Sequence, residues 1–275
     1  MRVLLYVFFL LSTGLLAQDN PYLWFSPDQD TVARIGDIAV PAGARRKVFQ
    51  ENSFAFWLRN LPVKPAIEKV HLYNGQEKMN QNVHYRIIDI DVGHDDLQQC
   101  ADAVIRLRAE YLYSAGRYDR IQFHFTSGDV ARFSKWAEGY RPVITGNQVT
   151  WVKSGSPDNS YASFRRYLKT VFMYAGSYSL SRELQVTDPD SLEAGDVFIQ
   201  GGFPGHAVLI VDIAVSETNE PLFLLAQSYM PAQEMHILKN PVNSSISPWY
   251  KLKEGRELIT PEWIFEWTDI RRFAE

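Results

Sequence analysis

Residues 188–213 read DPDSLEAGDVFIQGGFPGHAVLIVDI, and they constrain the fold more than any other stretch of the chain. A turn carrying Gly195-Asp196 leads into an apolar strand, Val197–Ile199. A Gly/Pro-rich bend follows, and His206 then opens a second apolar strand, Ala207–Ile213. Two apolar strands joined by a tight bend call for a sheet. The same layout puts one imidazole at the mouth of a strand.

The rest of the pattern supplies helices to cover that sheet. Leu97, Cys100/Ala101, Val104, Leu107 and Tyr111 recur at helical spacing, which predicts a helix over Asp95–Tyr113 with Asp95-Asp96 at its positive end. Phe164, Leu168, Val171 and Ala175 predict a second over Asp158–Gly176, with Asp158 as N-cap. A shorter helix is expected around Asp129–Glu138, and another at Ser53–Leu58. Residues 34–92 read as β-rich, with Val83–Val92 as a strand. Further strands are expected at Ile121–Phe125, Asn147–Lys153, Leu222–Gln227 and Met235–Leu238. Helices followed by a meander of strands make an α+β layer arrangement.

At 275 residues the chain can bury a substantial core. We expect one compact unit over 18–275: an N-terminal α+β half (34–150), a C-terminal half (150–245), and an aromatic segment (246–275) packing back. The formal net charge of −4 gives no electrostatic case for a nucleic-acid partner. Met1-Arg2, the apolar run Val3–Leu11 and the small residues before Gln18 read as a signal peptide over 1–17. That predicts an exported protein, periplasmic or extracellular, with no transmembrane segment after signal removal. The single cysteine, Cys100, rules out an intramolecular disulfide.

The chemistry centres on His206. The order Gly-Asp strand, bend, His strand resembles the second half of NlpC-type cell-wall peptidases and related papain-like amidases. Over about residues 156–230 the resemblance implies a nucleophilic Cys opening the preceding helix, where this chain has Asp158-Asn159-Ser160. An amide cannot form a thiolate, so at that register thiol catalysis is lost. Ser160, with His206 as base, is the next nucleophile candidate by position, but a Ser just after an N-cap more commonly serves to start a helix. Cys100 offers another route, with His206 as base and Gln227 as the orienting amide. Against it stand the apolar stripe on which Cys100 lies and the nearby Asp95, Asp96 and Asp102. The carboxylates Asp89, Asp91, Asp95 and Asp96 with His94 lack the spacing of a calcium loop, and neither a metal nor a cofactor is expected.

Beyond that half, the phrases FAFWLRNLPVKP, VHLYNGQEK, DLQQCADAVIRLRAEYLY, WVKSGSPDNSYASFRRYL, GDVFIQGGFPGHAVLIVD and LLAQSYMPAQEMHILKNP resemble a family of secreted bacterial proteins known as a domain of unknown function. The family resemblance implies no activity. Three readings stay open. One is a degenerate NlpC-like cleft in which Asp158, Asn159, Ser160, His206 and Gln227 hold a cell-wall fragment, glycan or peptide. Another is a cysteine amidase using Cys100, His206 and Gln227. The third is an envelope structural or interaction protein.

Overall fold

A computed structural model describes residues 20–25 and 32–274. The expected signal peptide, 1–17, lies outside the described residues.

The architecture is α+β, and its centre is an antiparallel sheet of nine strands. In chain order the elements begin with β1 (Arg45–Arg46), α1 (Phe54–Arg59), β2 (His84–Ile87) and α2 (Cys100–Ser114). A hairpin, β3 (Gln122–His124) and β4 (Val130–Arg132), precedes α3 (Phe133–Ala137). A second hairpin, β5 (Tyr140–Thr145) and β6 (Gln148–Lys153), precedes α4 (Tyr161–Tyr174) and α5 (Ser177–Glu183). The sheet then resumes with β7 (Gln185–Val186), β8 (Val197–Gln200), β9 (His206–Val215), β10 (Pro221–Gln227), β11 (His236–Leu238) and β12 (Tyr250–Lys251). A third hairpin, β13 (Glu257–Ile259) and β14 (Ile264–Glu266), leads to β15 (Ile270–Arg272). The sheet order is β2-β11-β10-β9-β8-β15-β7, with β1 joining β9 and β12 joining β10.

Strand β9 is the spine. Nine of its ten residues are buried, so both of its faces must be covered. Ala207, Leu209 and Val211 turn toward the helices, in one apolar cluster with Val104 and Leu107 of α2. Val208 and Ile210 turn to the other face, where Leu258, Phe265 and Trp267 of the C-terminal segment close a second cluster. The charged exception, Asp212, is fully buried and lies between Arg46 (2.9 Å) and Arg59 (2.6 Å).

Helix α2 packs on β9 and is buried on nearly every side. It ends where Gly116 takes φ +67°, a left-handed conformation that glycine adopts without strain. Arg106 and Glu110 lie one turn apart inside it and form a fully buried ion pair of 2.6 Å. Helix α4 runs antiparallel beside α2: Tyr161 reaches Glu110, Arg165 reaches Asp91, and Lys169 reaches Asp95.

Three sequence expectations need correcting. Helix α4 runs Tyr161–Tyr174 with Ser160, not Asp158, as its N-cap, because the Ser160 hydroxyl accepts the Ser163 N–H. Residues 34–92 are not β-rich. Their extended pieces meet neighbours mostly through isolated bridges, such as Val63 with Ile88 and Leu72 with Gln233. Pro41, Pro62 and Pro65 withhold the N–H groups a continuous ladder needs. Helix α2 also begins at Cys100 rather than Asp95, because Asp95–Gln99 forms an irregular entry whose carboxylates have other partners. That shift moves Cys100 from the helix interior to its first residue.

Candidate functional site

The backbone at the start of α2 is pinned to the sheet. Ser228, just past β10, donates its hydroxyl to the Gln98 carbonyl at 3.0 Å. Asp96 accepts the Ala232 N–H at 2.6 Å. The Gln98 side chain is taken up by Arg106 and the Asp91 carbonyl. These ties set the start of α2 beside the opening of β9, where the main-chain N–H groups of Ala101, Ala207 and Cys100 itself act to lower the pKa of the Cys100 thiol. The first N–H groups of a helix have no intrahelical acceptor, so they are free for this role.

His206 precedes Ala207 and is almost wholly buried. Its ring lies among Tyr229 (4.9 Å between centroids), Trp263 (5.2 Å) and Phe265 (6.0 Å). Nε2 is 2.9 Å from Oε1 of Gln227, the last residue of β10. Antiparallel pairing of β9 and β10 brings these two strand ends together. The Gln227 amide nitrogen donates to Oε2 of Glu262 at 2.7 Å and lies 3.5 Å from Nε2 of His236. His236 in turn has Nδ1 at 2.9 Å from the Glu234 carbonyl.

That network fixes the proton positions. A carbonyl oxygen can only accept, so His236 carries its proton on Nδ1 and offers Nε2 as an acceptor. The Gln227 –NH2 then faces two acceptors, which leaves Oε1 toward His206 and requires His206 to donate from Nε2. The lone pair of the neutral ring sits on Nδ1. Glu262 is completed by Lys78, whose Nζ is 2.6 Å from Oε1 and also lies over the Tyr229 ring.

Burial sets the electrostatics. It pulls His206 down to about 4, with the Lys78 charge acting the same way and the Gln227 hydrogen bond opposing. Burial likewise takes His236 to about 3. It pushes the Cys100 thiol up to about 11, with Asp102 adding and the surrounding N–H groups opposing. Complete burial also holds the Asp102 carboxyl well above the usual carboxylate range, and its Oδ1 has no hydrogen-bond partner among the described residues. The resting pair at neutral pH is a thiol and a neutral imidazole.

Asp158, Asn159 and Ser160 sit elsewhere. The Asn159 carbonyl accepts from Tyr113 at 2.8 Å, at the far end of α2 and about 20 Å along its axis from Cys100. Ser160 caps α4 by accepting the Ser163 N–H, and Asp158 accepts the Ser160 N–H while pairing with Arg166. The three are therefore not brought to His206. Gly195 and Asp196 have structural work instead. Gly195 holds φ +104° with Phe54 where a side chain would project, and Asp196 pairs with Arg272 at 2.6 Å. Among the described residues no group of side chains has the makings of a metal site. An open cavity of about 330 Å3 lies beside the C-terminal half of α2, and neither Cys100 nor His206 lines it.

Sequence reasoning missed Lys78, Tyr229, Glu262 and Trp263, all brought in from loops. The one available signal was the count of aromatic and charged residues in the tail, which gives no register. Fold and site together define an α+β protein whose central sheet carries a buried imidazole–amide pair beside a helix-initial thiol. The chain belongs to the family described as Domain of unknown function (4846), whose model matches residues 35–272. No curated protein and no solved structure matches it. No helix among the described residues is long and apolar enough to cross a membrane.

Proposed function

We propose that the protein is an exported cysteine hydrolase of amide bonds, with a papain-like arrangement of Cys100, His206 and Gln227. The observation that carries this reading is the 2.9 Å His206–Gln227 bond, which leaves Nδ1 as the basic nitrogen of a ring next in sequence to Ala207, whose N–H acts on the Cys100 thiol. The chain order nucleophile helix, His strand, amide strand is that of the papain-like enzymes. Residues 115–190 act as a long insertion between the first two parts. Export rests on the Met1–Ala17 pattern, and it makes a peptide of the cell envelope the natural substrate.

Because the resting pair is neutral, proton transfer accompanies attack. The Cys100 sulfur bonds to the substrate carbonyl carbon as its proton passes to Nδ1 of His206. The N–H groups of Cys100 and Ala101 are available to the developing oxyanion. As the C–N bond breaks, the imidazolium returns its proton to the leaving amine. Water, deprotonated by the same ring, then opens the thioester. Gln227 holds the ring in the tautomer both halves need.

The test is acyl transfer from p-nitrophenyl acetate. The expected result is a burst of one nitrophenolate per chain and an acetyl group on Cys100 by mass spectrometry, both lost in Cys100→Ala and His206→Ala. A folded wild-type protein that gives no burst and no adduct overturns the reading. The raised thiol and lowered imidazole favour a second reading, a binding cleft without catalysis. It predicts that absence together with binding of muropeptides, lost in His206→Ala.

A further inference from the structure

We propose that Glu262 is a positioning residue for the His206 imidazole, acting through Gln227. The inference rests on the hydrolase reading for its catalytic meaning and on geometry alone for its structural meaning. Gln227 is the only group hydrogen-bonded to the His206 ring among the described residues, so the ring's tautomer is set by which way that amide faces. An amide can turn end for end at little steric cost. Two acceptors oppose the turn, Glu262 Oε2 at 2.7 Å and His236 Nε2 at 3.5 Å. The first is shorter and charge-assisted, and therefore the stronger.

Lys78 makes the arrangement directional. It occupies Glu262 Oε1 at 2.6 Å and leaves only Oε2 for Gln227. Its side chain is even more buried than that of Glu262, and its ammonium is further held over Tyr229 at 5.3 Å. The relay runs Lys78–Glu262–Gln227–His206: Lys78 and the Gln227 amide nitrogen both donate to Glu262, which leaves Gln227 Oε1 facing His206 Nε2. Without the carboxylate, nothing but a long contact to His236 decides the Gln227 orientation. The reversed amide would place –NH2 against His206, which would then have to accept at Nε2 and carry its proton on Nδ1. A ring in that state cannot take a proton from Cys100 through Nδ1.

Substitution chemistry gives a sharp test. In Glu262→Gln the new amide must face its –NH2 toward either Lys78 or the Gln227 –NH2, and both are donors. Lys78→Met in the same chain removes that conflict, so the new carbonyl can serve Gln227. The measurement is long-range 1H–15N NMR of the imidazoles in the full chain at pH 7, paired with acylation by p-nitrophenyl acetate. Wild type and the Lys78→Met/Glu262→Gln pair are expected to show His206 protonated on Nε2. Glu262→Gln and Glu262→Leu are expected to show a mixture, with acylation slowed by at least about tenfold, a part of what a general base contributes.

An entirely Nε2-protonated His206 in Glu262→Gln overturns the proposal. So does a mixture in the paired variant, and that measurement stands even where Glu262→Leu fails to fold. The two readings fail separately. A tautomer that follows Glu262 in a wild-type chain giving no burst keeps the positioning role and removes the hydrolase. A burst that survives with a fixed tautomer does the reverse.

Discussion

Helices α2 and α4 lie side by side and start at opposite ends of the pair, and their starts could hardly differ more. At α4 the polar residues Asp158, Asn159 and Ser160 are satisfied locally: a hydroxyl cap, an Asx turn and an exposed ion pair with Arg166. At α2 the first residue is a thiol, 8% exposed, whose pKa burial raises while the main-chain N–H of Ala207 from the facing strand acts to lower it. The α4 start has the sequence look of a catalytic motif. The α2 start has the thiol that the hydrolase reading takes as nucleophile. A helix N-terminus supplies free N–H groups in either case, and what it is packed against decides whether they meet a reacting group.

The hardest blow to that contrast is a swap of activity between the two ends. Cys100→Ala is expected to abolish acyl transfer from p-nitrophenyl acetate, a loss of at least about 10³-fold given what an activated nucleophile contributes. Asn159→Ala and Ser160→Ala are expected to leave the burst unchanged. A burst that survives Cys100→Ala and disappears in Ser160→Ala would move the chemistry to α4.

The next effect is on stability and tests what holds α2 in place. Arg106 is fully buried and bonds Glu110 at 2.6 Å, Gln98 at 2.9 Å and Asp91 at 3.2 Å. Burial pushes the Asp91 carboxyl up, but Arg165 and Arg106 override it and hold it well below the usual range. Arg106→Ala leaves Glu110 buried without its cation, which costs about 3–5 kcal/mol. Urea unfolding should show that loss, and Arg106→Met with Glu110→Leu should recover much of it. Equal stability in single and double variants would mean that the ion pair is not what anchors the helix. The matching pair at α4, the exposed Arg166–Asp158 bridge, should cost far less when broken, because water solvates both charges.

Acid separates the two ends again. His206 and His236 have folded-state values of about 4 and about 3, below the 6.5 of an unfolded chain. The unfolded state therefore binds more protons, and stability falls as pH drops from 6.5 through the folded values. Together they account for a loss on the order of a few kcal/mol across that window. The Asp158 carboxyl is instead held below its ordinary value by the Ser160 hydroxyl and N–H, so the α4 end keeps its contribution until the pH falls through the carboxylate range. Urea midpoints at pH 7 and pH 4.5 measure the difference. A midpoint that does not move between them would show that neither histidine is buried neutral.

How much of this was legible in the residues follows from the range of the forces involved. Strands β8 and β9 announced themselves, because a continuous apolar run bounded by Gly-Asp and Gly-Pro turns is local information. The helical stripe of α2 was legible too, and the candidate set Cys100, His206 and Gln227 came from the papain-like resemblance, of which the structure joins His206 and Gln227 by a 2.9 Å bond. The start of α2 was not. Asp95 and Asp96 have the composition of a helix N-terminus, yet Lys169 and the Ala232 N–H draw them into an irregular entry, and both partners are remote in sequence. Glu262 and Lys78 were invisible for the same reason: 184 residues separate a pair that meets at 2.6 Å. Residues 34–92 looked β-rich because their apolar residues alternate, but they serve as single bridges and core plugs such as Leu58 and Leu61.

The smallest effect is the most discriminating for the α4 end. Ser160 accepts the Ser163 N–H at 3.3 Å and does nothing else that touches His206. Removing an N-cap hydroxyl leaves one helix N–H without its acceptor, which costs about 1 kcal/mol. Ser160→Ala should therefore lower the urea midpoint slightly, Ser160→Asp should restore it by capping with a carboxylate at the positive helix end, and both should keep the wild-type burst. A carboxylate at this position would abolish catalysis if Ser160 were the nucleophile and leave it untouched if Ser160 is a cap. Parallel loss of midpoint and burst in Ser160→Ala, with only the midpoint recovered in Ser160→Asp, would tie the α4 start to the chemistry after all.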